Sequence, residues 1–289
     1  MRVKVWTAGL VAAALIAACT SSPPATGEEA EIVVSFYPLE FLVERIAGEG
    51  VTVANITPPG LEPHDIELTP DQIARIEDAD LVVFLGGGFQ PALERAIEAA
   101  DVRSLDVLDA LDMGGAEDPH VWLDPVLMQR LVTFMTREGQ GPNPLIGHEP
   151  DAAFSLAGEL EALHARYEAG LGSCRSRLFV PAHDAFGYMA ERYDLRYEPI
   201  TGVSPEAEPD PARLAELSDF VEANDVRTIF TEPLLSPRIA ETLARETGAR
   251  VGVLDPIESL SAKQLDAGED YLSVMDANLT SLMEGLGCR

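Results

Sequence analysis

Lysine is nearly missing from this chain: Lys4 and Lys263 are the whole complement, and arginine supplies the rest of the positive charge. Against 20 basic residues stand 49 acidic ones, a formal net charge of −29. Such a surface repels nucleic acid and anionic membranes and concentrates cations, although solubility alone also accounts for it. Cysteine is scarce, with three residues whose spacing makes no metal knuckle, so copper(I) and iron–sulfur chemistry is disfavoured. Neither an HExxH helix nor a GxSxG elbow occurs, which removes the usual signatures of zinc and serine hydrolases. Short-period repeats and low-complexity tracts are also absent. What remains is a composition 46% hydrophobic and 24% charged over 289 residues, enough to pack two lobes of ordinary size.

The one long apolar run lies at the start. A basic opening (Arg2, Lys4), an apolar stretch from Val5 to about Ala14 and then Ile16-Ala17-Ala18-Cys19 read as a secretory leader over residues 1–18, too short for a membrane span. Small residues before Cys19 resemble the lipobox of bacterial lipoproteins, which makes Cys19 the expected lipidated residue and 19–30 a polar, proline-containing tether. An exported chain lives where disulfides persist, and with Cys19 acylated the leftover pair, Cys174 and Cys288, is available for a bridge.

From Glu31 onward, short β-rich runs alternate with helical stretches: IVVS, VTVANI, LVVFLG and VRSLDV in the first half, RLFVPA, LRYEPI, VRTIFT and ARVGVL in the second. This beat predicts an α/β fold with mostly parallel sheets flanked by helices. Between them, DAAFSLAGELEALHARYEAGL places Phe154, Leu156, Leu160, Leu163, Tyr167 and Leu171 at helical spacing. The expected organisation is an N-terminal lobe over 31–140, a connecting helix within 141–175 and a C-terminal lobe over 176–289.

Ligands of open parallel sheets bind beyond the carboxyl ends of the strands. Three of the five histidines fall there: His64 in GLEPHDIELTP, His120 in DPHVWLDP and His183 in PAHDAFGY. Asp255, in VGVLDPIESL, ends the last predicted strand. Three imidazoles and a carboxylate are a set that zinc takes in tetrahedral geometry, with Glu62 and Glu232 as outer partners or alternative ligands. A loop histidine more often simply packs or hydrogen-bonds, the reading given to His148 and His164, and an aspartate before proline is ordinarily a turn residue. Trp122 and Tyr188 are expected in the core or cleft wall.

The motifs GLEPHDIELTP (60–70), DPHVWLDP (118–125), HDAFGY (183–188), FTEP (230–233) and VLDP (253–256), in this order, resemble those of the substrate-binding lipoproteins of zinc and manganese ABC importers, the ZnuA/TroA/PsaA type. The resemblance spans the chain from Glu31 and implies two lobes bridged by a long helix, with the metal held in the cleft by His64, His120, His183 and Asp255. It further implies a monomeric receptor, anchored to the membrane by lipid, that delivers Zn2+ to an ABC permease. Glutamate stands at the position of His183 in members that favour manganese, so the cargo expected is zinc, with Mn2+ as the alternative within the family. A His- and acid-rich loop that many zinc members carry before the DPH motif is replaced here by the short LDMGGAEDPH. Two readings compete from other classes: a secreted zinc hydrolase using Glu62 or Glu232 as base, and an adhesin whose metal is structural.

Overall fold

The computed structural model describes residues 30–64, 66–137, 148–205, 207 and 209–289. The expected leader, Cys19 and the tether through residue 29 lie outside them. The first half builds a parallel sheet from β1 (Ala30–Val34), β2 (Val51–Asn55), β3 (Leu81–Phe84) and β4 (Ser104–Asp106), in the order β2-β1-β3-β4. Its crossovers are α1 (Tyr37–Ile46), α2 (Pro70–Asp78) and α3 (Pro91–Ala100). Each opens with proline in its first turn, where the missing amide costs nothing and the fixed φ suits a helix. Thr69 closes a full capping box with Gln72 at the start of α2. A one-turn α4 (Val107–Ala110) and α5 (Pro125–Thr136) complete this half.

The second half pairs β5 (Leu178–Phe179) with β6 (Arg196–Tyr197) and β7 (Thr228–Thr231) with β8 (Arg250–Val253), all parallel. A parallel bridge between Val180 and Ile229 joins the two pairs. Helices α7 (Gly187–Arg192), α8 (Pro211–Ala223), α9 (Arg238–Thr247), α10 (Ala262–Asp266) and α11 (Tyr271–Leu286) follow in turn. The α/β class and its parallel sheets are as expected, but β5 and β6 are only two residues long. The prolines of FVPA and YEPI end their ladders, because proline offers no amide to a neighbouring strand.

The helix α6 (Pro150–Leu171) runs between the halves and packs against α1 and α5 on one side and α11 on the other. Leu156, Leu160, Leu163, Tyr167 and Leu171 are buried as the spacing predicts. Phe154 is a correction, since it is 83% exposed; two residues before Leu156 it points about 200° around the helix, onto the solvent side. One apolar core runs from β1 and α1 through α6 to α11, so the lobes share a common interior. Tyr167 donates to the Met275 carbonyl at 2.7 Å, and Arg166 and Asp276 pair at 2.8 Å across the same interface. Among the described residues no helix is long and apolar enough to cross a membrane.

Cys174, just beyond α6, is bonded to Cys288, just beyond α11, across 114 residues of sequence. A covalent loop of that length restricts the unfolded chain by an amount equivalent to about 4–5 kcal/mol. Replacing both cysteines by alanine is therefore expected to lower the denaturant-derived stability by several kcal/mol without altering the far-ultraviolet circular dichroism; an unchanged unfolding midpoint would contradict this role.

Candidate metal centre

The loops that leave the carboxyl ends of both sheets meet, and five contacts sew them together. Trp122, in a short 3-10 turn (Val121–Leu123), donates its indole N–H to the Pro256 carbonyl at 2.7 Å, and Tyr271 donates to the Trp122 carbonyl at 2.6 Å. Tyr188 donates to the Asp118 carbonyl at 2.8 Å. Asp124 caps α5 by accepting from the Val126 amide and also holds Arg192 at 2.7 Å. The Gly60 amide donates to Ser259 Oγ at 2.8 Å.

Within this seam three of the expected residues come together, and the acid beside them is a different one. Ligand-capable atoms of His64, His120, His183 and Glu258 all lie within 4.8 Å of one another. Glu258 Oε1 is 3.1 Å from His64 Nε2, 3.4 Å from His120 Nε2 and 3.3 Å from His183 Nε2, and the last two nitrogens are 3.4 Å apart. A tetrahedral ion with bonds of about 2.0–2.1 Å has ligand-to-ligand edges of about 3.3 Å. These four distances thus outline one face and an adjoining edge of such a tetrahedron.

Asp255, the expected carboxylate ligand, is not in this group. Its Oδ1 accepts from the Ile257 amide at 2.8 Å and its Oδ2 from Gln264 Nε2 at 2.8 Å, while its backbone exchanges two hydrogen bonds with the Asn278 side chain. It is the turn-former that an aspartate before proline usually is. Pro256 then fixes the next residue's direction, and Ile257, fully buried, takes φ of +59°. A β-branched residue in the left-handed region is strained by about 1–3 kcal/mol, and this kink delivers Glu258, three residues past the strand-end position, to the imidazoles. The clue in the sequence is the glutamate between Ile257 and Leu260, both core residues: an acid has to be paired if it is buried.

The outer partners fix the rings. His120 Nδ1 donates to Asp118 Oδ1 at 2.8 Å, and the same oxygen accepts the His120 amide at 2.9 Å. His183 Nδ1 donates to Glu232 Oε1 at 2.7 Å. Both rings therefore turn Nε2 inward, the carboxylate–histidine arrangement found behind many metal ligands. Glu232 thus supports a ring and is not one of the four converging groups. Glu62 sits 3.9 Å from His64 Nε2, close enough to Glu258 for the two acids to influence each other. Phe89 and Trp122 wall the cluster edge-on to His64 and against His120.

Electrostatics follow from burial. Desolvation alone would raise the Glu258 carboxyl, yet hydrogen bonds from His120, His183 and His64 hold it well below the ordinary carboxylate range. Burial disfavours the charged forms of His120 and His183, but Asp118 and Glu258 for the first, and Glu232 and Glu258 for the second, raise both pKa values. Burial, reinforced by the Glu258 charge, pushes Glu62 up to about 9, and burial lifts Asp255 to about 6. His148 and His164 stand apart; His164 Nδ1 meets the Tyr193 hydroxyl at 3.2 Å.

A family model described as ZnuA, zinc-uptake complex component A, periplasmic, matches residues 32–285. The chain is 34% identical over 295 residues to a zinc-binding lipoprotein, AdcA, of Streptococcus pneumoniae serotype 4, covering 94% of this chain but 58% of that relative. It is 32% identical over 314 residues to a high-affinity zinc uptake system protein, ZnuA, of Bacillus subtilis, covering 98% of each. Among solved structures, the Zn(II)-bound ZnuA-like domain of the Streptococcus pneumoniae protein superposes with a TM-score of 0.74 at 33% identity, over 89% of this chain and 99% of that one.

The Trp122–Pro256 hydrogen bond ties the His120 loop to the Glu258 loop. Trp122→Phe would leave a buried carbonyl without its donor, and a loss of about 1–3 kcal/mol in urea unfolding is expected; a variant as stable as the parent would mean that the bond contributes nothing.

Proposed function

Because the chain belongs to the ZnuA family of periplasmic zinc-uptake components, we propose that it captures Zn2+ outside the cytoplasm and delivers it to an ABC permease, with His64, His120, His183 and Glu258 as the ligands. The observation that carries this reading is the convergence of four buried or nearly buried donor atoms from both lobes on one point. Asp118 and Glu232 orient two of the rings and increase their basicity. Three neutral imidazoles and one carboxylate leave the bound dication near +1, which the surrounding Asp118 and Glu232 offset. Four protein donors close the coordination sphere, as a holding site requires, whereas a catalytic zinc keeps an open position for water. That favours a receptor over a hydrolase. Zinc over manganese follows from the donor set, since three imidazoles suit zinc while manganese prefers oxygen. Export with a lipid anchor at Cys19, and a monomeric state, belong to the same reading.

Two measurements test it. Glu258→Gln is expected to weaken zinc by more than about 100-fold, beyond the 10–100-fold that outer partners carry, whereas Asp255→Asn, which keeps the acceptor for the Ile257 amide, changes affinity far less. The reverse order in a competition titration with a chromogenic chelator would return the ligand role to Asp255. In the metal-free protein the neighbouring carboxylates raise His120 and His183 above the ordinary imidazole value, so protons compete with the metal for these rings. Affinity then rises with pH up to those raised values and falls as the medium acidifies. Calorimetry in buffers of different ionisation enthalpy should detect net proton release at pH 7; buffer-independent heats would overturn this.

A further inference from the structure

The opposite end of the second lobe carries a charge pattern that zinc capture does not use. Every strand of that sheet begins at an arginine: Arg177 precedes β5, Arg196 opens β6, Arg227 precedes β7 and Arg250 opens β8. With Arg175 they line a pocket of about 450 Å3 at the amino ends of the strands, beside the Cys174–Cys288 bridge. Five of the 20 basic residues of a chain with net charge −29 are gathered there. Its only acidic lining groups are Asp225 and Glu284.

Helix ends explain part of this gathering. Arg177 donates to the carbonyls of Leu171, Tyr193 and Asp194, and Arg250 donates to the Glu284 carbonyl at 3.4 Å, so both answer the negative ends of α6, α7 and α11. Arg227 pairs with Asp225 at 3.1 Å. Arg175, Arg196 and Arg250 have no carboxylate within 4.0 Å among the described residues, and both Arg175 and Arg196 are exposed. Several like charges around one concavity repel unless an anion joins them, and guanidinium groups match tetrahedral oxyanions through paired N–H donors. The long-range field of so acidic a protein repels anions, so an anion held here is held by short-range hydrogen bonding. The volume falls in the range of small-molecule pockets and exceeds what a single bound ion needs.

We propose that this pocket binds a phosphate-bearing oxyanion larger than orthophosphate, either a soluble polyphosphorylated molecule or an anionic lipid headgroup. The test uses the full zinc-loaded chain carrying Cys19→Ser, so that no lipid is attached and vesicle binding reports the pocket alone, with inorganic pyrophosphate in calorimetry and vesicles of phosphatidylglycerol in phosphatidylcholine in co-sedimentation. Saturable binding is expected in at least one arm, weakened about tenfold or more for each guanidinium removed in Arg196→Gln and Arg250→Gln, and unchanged in Arg238→Gln, which lies outside the pocket. Zinc affinity should be the same in all three variants. Binding of pyrophosphate alone identifies a soluble ligand, and variant-sensitive binding of vesicles alone identifies a headgroup. No binding in either arm up to about 10 mM phosphate groups, or binding that survives the Arg196→Gln/Arg250→Gln double substitution, overturns the proposal.

Discussion

A buried carboxylate surrounded by imidazoles organises this protein. Glu258 is 2% exposed, and an ionised acid so placed is costly unless its oxygen is fully partnered. Its partners come from the His64 and His120 loops of one lobe and the His183 loop of the other. The cluster is consequently a fastening between lobes as well as a group of side chains able to hold a metal. The surrounding bonds of Trp122, Tyr188, Asp124 and Gly60 follow the same line across the cleft. A divalent ion at the centre would replace mutual hydrogen bonding of the cluster by coordination, with little displacement of the side chains.

The shared core limits how the lobes can move. Helix α6 is packed against α1, α5 and α11, and its buried side belongs to a single apolar cluster that spans both halves. Wide opening would expose that cluster, so the geometry at the cleft is set by loops and not by a swinging hinge. The disulfide adds to this by fixing the end of α6 to the end of α11.

Much of this was legible in the residues. Alternation of β-rich runs with Pro-capped helices gave the parallel α/β plan, and the position of His64, His120 and His183 after strands brought the three rings to one place, because topology dictates where strand ends converge. Cys174 and Cys288 were the available pair and are bridged. The failures have local causes. Asp255 stands where a ligand would be sought, but its carboxylate is occupied in turning the chain, and only the left-handed kink at Ile257 reveals that Glu258 is the acid that arrives. Phe154 fits apolar helical spacing but lies out of phase with the buried side that Leu156, Leu160 and Leu163 define. The short α4 and α10 carry too few residues for a pattern to stand out.

The backbone at Ile257 has a consequence for how firmly Glu258 is held. A side chain branched at Cβ and held at positive φ stores about 1–3 kcal/mol of conformational strain directly before Glu258, the carboxylate that joins the three imidazoles. Loss of the Asp255–Gln264 or Trp122–Pro256 bond would let that residue relax toward ordinary backbone angles, and Glu258, the next residue, would shift with it. Such a change would be confined to a few peptide units and driven partly by energy already present in the fold.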